Sequence, residues 1–375
     1  MNIQVEGIGF PNKGAELMLY AVVQELRSHY GDKVNVCCAP RQSIRYSYKV
    51  LGCKDISQLG HFTFKGVDLD WMVDLVPQKL VDTFGVTKSR DVDIILDASG
   101  LRYSDKWGSV GAKKVARRYE AARKRGKKIV MLPQAFGPFR DPEVAKATCR
   151  ILDCVDVCFA RDSISADYLK SVLTDASKLR VAPDFTNLLA PYVGDDCSAK
   201  YEGVVLVIPN TRMLDKTSES VSSVYYDYLC NFIEVCVGRG ETVVLLNHEG
   251  AKDEEICANL SRRYGGLDVF SSWDPIMIKT VIGRAKYIMS SRFHGCVSAL
   301  SQGVPVIATS WNHKYETLLD EYGLAENLET LGSSEVDLAM IDRCEDKAVK
   351  RRIEVISEEM KAKSREMWND VFSLL

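Results

Sequence analysis

No stretch of the chain approaches the roughly 20 consecutive apolar residues that a membrane-spanning helix needs. Met1 to Glu6 carries neither a basic region nor a long apolar run, so it reads as a first strand and not as a signal peptide. Neither sign of charge is in excess: 49 Lys and Arg against 51 Asp and Glu leave a net charge of −2. That balance excludes an overall basic field for nucleic acid or anionic lipid. None of the twelve cysteines forms a CxxC pair, and no Cys or His spacing suits zinc, so no metal site is expected. The thiols read as apolar core groups in a reducing cytosol. There is no internal repeat of short period and no low-complexity tract.

At 375 residues and 46% hydrophobic content, the chain is long enough for two domains with sizeable cores. Its most informative stretch is Ser290 to Leu319, which follows a strand-like apolar run, Ala285 to Met289. A short helix is expected from about Gly295 to Gln302. Gly303 stops it, Val304 to Thr309 is a second buried strand, and another helix begins near Lys314. In this βαβ unit, Arg292 and His294 stand at the end of the first strand and His313 and Lys314 at the end of the second. Ligands of open α/β sheets bind at such carboxyl ends, so cationic and proton-transferring groups converge where an anion would dock.

The rest of the chain repeats the pattern. A strand at Ile3 to Val5 leads through Gly7 to Glu16 into a helix from about Ala15 to Ser28. The turn lacks GxGxxG spacing, so a dinucleotide is not indicated; close approach of backbone is the better reading. Arg41 to Arg90 has no sustained period, with short helices expected around Asp70 to Thr83. Asp68 with Asp70, and Asp91 with Asp93, resemble metal–nucleotide carboxylate pairs, but such triplets are common by chance. Strands at Val92 to Leu96, Lys128 to Leu132, Val155 to Ala160 and Leu179 to Ala182 alternate with helices at Lys106 to Arg125, Pro142 to Leu152 and Ile164 to Leu173. Asp141, and Asp162 or Ser163, are placed to cap the last two. Gln134 and Arg161 lie at strand ends; Arg161 either faces a cleft or forms a surface pair with an Asp. Lys113, Lys114, Arg117 and Arg118 make a basic, solvated helix face.

Leu188 to Glu202 reads as a linker, and a second α/β series follows. Its strand-end loops carry Asn210, Arg212 and His248. Glu345 to Leu375 is a long charged helix. The expected architecture is α/β and GT-B-like: a Rossmann-like domain at 1–190, a second at 200–345, and a C-terminal helix, 346–375, packing back on the first. Such folds place the site in a cleft between the domains.

Several segments together resemble the polysaccharide pyruvyl transferase family. They are Asn12-Lys13-Gly14-Ala15-Glu16, Leu132 to Phe139, Ala160-Arg161-Asp162-Ser163, Ala182-Pro183-Asp184, Ser291-Arg292-Phe293-His294-Gly295, Gly303 to Val306, and Lys314. They occur in the family's order over residues 5–325. Many relatives carry Asp directly after the glycine, where this chain has Ala15 and then Glu16. The resemblance implies a GT-B-like fold and transfer of a pyruvyl group from phosphoenolpyruvate to a sugar of a bacterial surface polysaccharide, such as a capsule or exopolysaccharide, or of its lipid-linked precursor. It singles out Arg161, Arg292, His294 and Lys314. A lipid-linked acceptor would place the protein peripherally at the cytoplasmic face of the membrane.

The residue types fit that chemistry. Phosphoenolpyruvate carries a phosphate and a carboxylate, which the planar guanidinium fork binds well. The helix opening near Gly295 adds N–H donors and partial positive charge. His294 suits the proton traffic, with an imidazole whose reference pKa is about 6.5. Arg161, Arg292 and Lys314 would frame the anions. His313 is an alternative proton donor. His248, Asn12, Gly14, Glu16, Gln134, Asn210 and Arg212 are candidate substrate contacts, the acceptor side being built by Gly7 to Glu16 and Arg41 to Arg90. Trp273, Trp311 and Tyr315 are candidates for sugar stacking or for the core. No cofactor is required beyond the donor substrate. A nucleotide-sugar glycosyltransferase and a non-catalytic relative are the competing readings.

Overall fold

The computed structural model describes residues 1–8, 12–38, 51–56, 63–64, 67–68, 75–194 and 196–375. Part of the Gly7 to Glu16 turn, much of Arg41 to Arg90 and Asp70 of the Asp68–Asp70 pair lie outside the described residues. The chain divides into two compact units. Met1–Pro11, Met18–Phe185 and Glu366–Leu375 make the first; Asn12–Leu17 and Thr186–Arg365 make the second.

The first unit begins with β1 (Asn2–Glu6) and most of α1 (Lys13–Tyr30). Leu17, Ala21, Val22 and Leu26 recur at helical spacing along α1 and are all buried. Next come β2 (Asn35–Cys38), β3 (Lys54–Ile56), a small antiparallel pair of β4 (Thr63–Phe64) and β5 (Val67–Asp68), α2 (Gln78–Thr83), β6 (Val86–Thr87) and β7 (Ile94–Asp97). The series ends with α3 (Ser109–Lys124), β8 (Lys128–Gln134), α4 (Pro142–Cys154), β9 (Val157–Ala160), α5 (Ser163–Lys170) and β10 (Leu179–Val181). Eight strands form a parallel sheet in the order β10-β9-β8-β7-β1-β2-β3-β6. Buried on both faces, β7 and β8 are near-continuous apolar runs, whereas β1 alternates apolar Ile3 and Val5 with buried polar Gln4 and Glu6. Asp141 caps α4 by accepting from the Glu143 N–H at 2.8 Å, and Asp162 caps α5 from Ser165 at 2.6 Å.

The second unit contains β11 (Val205–Ile208), α6 (Arg212–Asp215), α7 (Glu219–Gly238), β12 (Val243–Asn247), α8 (Gly250–Arg263), β13 (Val269–Ser271) and α9 (Pro275–Arg284). It continues with β14 (Tyr287–Ser290), α10 (Phe293–Leu300), β15 (Val306–Thr309), α11 (Lys314–Glu321), β16 (Leu328–Glu329) and α12 (Leu338–Glu345). Its six strands are parallel in the order β13-β12-β11-β14-β15-β16. Strand alternation builds a core on each face: Leu206 and Ile208 enter one, Val205 and Val207 the other. The last helix, α13 (Lys347–Leu374), serves both units. Ile353 and Met360 join the core of the second. Met367, Trp368 and Val371 are buried in the part that belongs to the first. The architecture is thus α/β in two units, each a parallel sheet with helices.

Strand order reverses once in each large sheet, between β1 and β7 and between β11 and β14. Loops leaving neighbouring strands in opposite directions open a crevice there, the usual ligand position in such sheets.

Candidate active site

The β11/β14 crevice of the second unit is organised by Ser291. Its hydroxyl lies 2.7 Å from the Tyr225 hydroxyl and 2.6 Å from that of Thr309. Its carbonyl accepts from Asn210 Nδ2 at 2.7 Å and from the Tyr315 hydroxyl at 2.8 Å. Asn210 also accepts from the Arg212 N–H at 2.9 Å. These bonds tie the loops after β11 and β14 to α7, the end of β15 and α11. Buried polar networks of this kind hold one geometry when every member is satisfied. Gly295 is needed beneath the loop, since a Cβ there would come within 2.8 Å of Ser290 Oγ.

On this frame Arg292 is the cap residue of α10, whose first-turn N–H groups have no intrahelical acceptors. Its guanidinium meets two carboxylates. Nε donates to Asp253 Oδ2 at 2.8 Å, and Nη1 bonds Glu249. Asp253 is fully buried and also accepts from Thr211 N and Oγ1, at 3.0 and 2.8 Å. Burial pushes the Glu249 carboxyl above its ordinary range, against the pull of Arg292.

His294 packs edge-to-face on Phe293, ring centroids 5.5 Å apart. Its Nδ1 edge lies directly against Gly14, where a Cβ would overlap the imidazole. The N-terminus of α1 is thereby part of this site. Asn12 Oδ1 caps that helix by accepting from the Gly14 N–H at 2.8 Å, and Glu16 pairs with Lys13 at 3.1 Å. Lys13 Nζ also donates to the Trp273 carbonyl at 2.6 Å. His248, at the end of β12, is 2% exposed, with neither ring nitrogen hydrogen-bonded among the described residues. Burial, followed by the positive charge of Arg292, His294 and Lys13, holds its pKa well below 6.5, so it is neutral.

The Lys314 ammonium lies 4.6 Å from the Phe293 ring centroid, 5.2 Å from Trp311 and 5.7 Å from Tyr315. Tyr315, a stacking candidate by sequence, is 1% exposed and belongs to the core. Trp311 donates from Nε1 to its hydroxyl at 3.1 Å, whereas Trp273 is exposed. His313 is the cap residue of α11, its carbonyl accepting from the Thr317 N–H. Arg212 forms an exposed ion pair with Asp215 at 2.9 Å.

Arg161 and Gln134 belong to the first unit. Arg161 is buried with Asp184, Nη1 to Oδ2 at 3.0 Å, both side chains 4% exposed. Of the two sequence readings for Arg161, the Asp pair is present, but in the interior and not at the surface. Gln134, fully buried at the end of β8, has no hydrogen-bond partner for either amide atom among the described residues. At the β1/β7 crevice Gly7 has φ +83°, and a Cβ there would overlap Ser99. Beside it Asp97 accepts from the Tyr103 and Tyr119 hydroxyls at 2.6 and 3.0 Å, and Glu6 pairs with Arg118. Arg118, assigned by sequence to a solvated face, is therefore half-buried against a carboxylate. Asp93 accepts from the Asn2 N–H at 2.8 Å, a structural role.

The second-unit site thus gathers Asn12, Gly14, Asn210, His248, Arg292, His294, Gly295 and Lys314. Sequence reasoning placed Glu249 in the strand-end loop with His248, and Ser291 in the Arg292 motif, without giving either a role, and did not find Asp253, Tyr225 or Thr309. The four-residue spacing of Glu249 and Asp253 at the start of α8 was the available signal.

Several solved structures share the fold. UDP-GlcNAc 2-epimerase from Neisseria meningitidis bound to UDP-GlcNAc is 11% identical over 100% of both chains, with a TM-score of 0.61. S. aureus MnaA with UDP is 12% identical, covering 99% of this chain and 95% of that one, at 0.62. HepE of Anabaena, in complex with UDP and glucose, is 14% identical over 100% of this chain and 99% of that one, at 0.61. These likenesses establish the two-domain GT-B type of fold. The family model described as polysaccharide pyruvyl transferase matches residues 12–313, from the cap of α1 to the start of α11, and the chain belongs to that family.

Proposed function

We propose that the protein transfers the pyruvyl group of phosphoenolpyruvate to two hydroxyls of a sugar, in a surface polysaccharide or its lipid-linked precursor. The products are a pyruvate ketal and inorganic phosphate. The observation that carries this reading is the seating of Arg292 and His294 together at the β11/β14 crevice, separated by one residue at the opening of α10, just after Ser291 and its hydrogen bonds. Arg292, Lys314 and the N-terminus of α10 favour a small anion bearing phosphate and carboxylate.

In the proposed reaction His294 protonates the methylene carbon, giving an oxocarbenium at the carbon that bears the phosphate. One sugar hydroxyl attacks it and releases its proton. The C–O bond to phosphate then breaks, phosphate leaves with the bonding pair, and the second hydroxyl attacks and loses its proton. One of the two released protons restores His294; the other leaves with phosphate. Arg292 and Lys314 stabilise the departing charge. Arg161 and Gln134, on the first unit, are assigned to the substrates as well, with Asn12, Glu16, Asn210, Arg212 and His313 as contacts of lower rank. The first unit is assigned to the acceptor and the second to the donor.

The test is incubation with phosphoenolpyruvate and a panel of sugar acceptors, reading released phosphate and the mass of a pyruvate ketal. Turnover with a UDP-sugar and none with phosphoenolpyruvate would overturn the proposal. His294→Ala is expected to lower kcat by about 10²- to 10⁴-fold while phosphoenolpyruvate still binds. A variant with undiminished kcat would remove His294 from this role.

A further inference from the structure

The two carboxylates on Arg292 differ in how they are held. Asp253 is fully buried, receives Nε, and is fastened by both the N–H and the hydroxyl of Thr211. It fixes the guanidinium plane. Glu249 takes the remaining fork, Nη1, and among the described residues Arg292 is its one hydrogen-bonded partner. Glu249 is the cap residue of α8, yet its side chain does not cap that helix. Its side chain is 19% exposed against 0% for Asp253, so it is the member that solvent reaches. Arg292 therefore presents its outward edge to a carboxylate with no other hydrogen-bond partner among the described residues.

We infer that Glu249 is an internal placeholder for the substrate anion: its carboxylate occupies the outer fork of Arg292 and is displaced when a phosphate or carboxylate group binds. The functional consequence is specificity. A ligand must offer an oxyanion that competes with a carboxylate already in place, which a neutral sugar cannot do. This inference rests on the phosphoenolpyruvate reading only for the identity of the ligand; the exchange itself concerns any small oxyanion at Arg292.

The competition multiplies the apparent affinity by the fraction of molecules with Arg292 open. Removing the placeholder removes that factor. Protonation does the same: a neutral Glu249 releases Arg292, so anion binding strengthens as pH falls. The charged groups facing Glu249 are Arg292, Asp253, Arg212 and Lys314. Asp253 is fastened as described.

The test uses the full chain with inorganic phosphate and phosphoenolpyruvate as separate probes, in wild type, Glu249→Gln, Glu249→Ala and Asp253→Asn, by titration calorimetry. Both Glu249 variants are expected to bind each anion about tenfold tighter, with the gain over wild type shrinking as pH falls. Asp253→Asn is expected to bind more weakly. Unchanged or weaker phosphate binding in both Glu249 variants, or no binding of either anion by any of the proteins, overturns the placeholder. Tighter phosphate binding without ketal formation from phosphoenolpyruvate would leave the placeholder standing and remove the substrate reading. If Glu249 were instead an obligatory proton donor, kcat would collapse in Glu249→Gln with no gain in affinity.

Discussion

At the scale of single residues, His248 shows how position governs charge. An exposed imidazole titrates near its reference pKa of about 6.5. His248 sits in a buried, cation-rich pocket that disfavours its charged form, and its pKa is well below that value. On unfolding it regains its ordinary pKa and takes up a proton that the folded chain refuses. Stability from this residue is therefore fully present above the unfolded pKa and lost as pH falls from there toward the depressed folded value. Urea unfolding followed between about pH 7.5 and 5.5 should show wild-type stability falling by up to about 1.4 kcal/mol per pH unit more than in His248→Asn. Parallel curves for the two proteins would contradict the buried, neutral state. Sequence reading placed His248 at a strand end but not in its setting. Its charged neighbours, Lys13 at the start of α1 and Arg292 and His294 after β14, lie far from it in sequence.

At the scale of elements, the unit from β14 to β15 was legible almost throughout. Its apolar runs, the stop at Gly303 and the positions of Arg292 and His294 all follow from residue pattern. The structure opens α10 at Phe293 and closes it at Leu300, a shift of two residues from the expected Gly295 to Gln302. The expectation took the glycine as the start, whereas Ser290 Oγ accepts from the Arg292 N–H and sets the opening turn earlier. β16, two residues long, and α6, four residues long, escaped because neither is long enough to show a period. What pattern alone does not give is the fastening between elements. Tyr225 on α7 lies 2.7 Å from the Ser291 hydroxyl and accepts the Asn210 N–H at 3.0 Å, so one phenol holds the loops after β11 and β14 to one helix. Tyr225→Phe keeps the ring in the core and leaves a buried N–H without its acceptor. It should destabilise the fold by about 1–3 kcal/mol and weaken phosphate binding at the Arg292 loop. Calorimetric binding and chemical denaturation of the same preparation check both halves. Intact phosphate affinity alongside lost stability would mean that the fastening is not what orders the loop.

At the scale of the molecule, the division into units does not follow the order of the chain. Asn12–Leu17 groups with the later half, and Glu366–Leu375 with the earlier half. Composition and spacing give the long charged helix at the C-terminus but not the point along it where allegiance changes. That point depends on which apolar residues meet which core. In the first unit the decisive group is Trp368, 1% exposed, edge-to-face with Phe185 at 6.0 Å and stacked near Phe372 at 5.4 Å. Phe372 in turn stacks on His29 of α1 at 4.0 Å. Ten C-terminal residues thus complete a core whose other parts come from the first half of the chain. Removing the indole leaves a cavity beside Phe185 and Phe372, and a buried Trp→Ala change costs about 3–5 kcal/mol. Trp368→Ala should speed amide exchange in β9, β10 and the later turns of α1. Val355→Ala, on the same helix at a position 60% exposed, should stay within about 0.5 kcal/mol of wild type. If both variants left exchange in those elements unaltered, the C-terminal segment would not be a structural member of the first unit, and its burial there would contribute nothing to holding that sheet together.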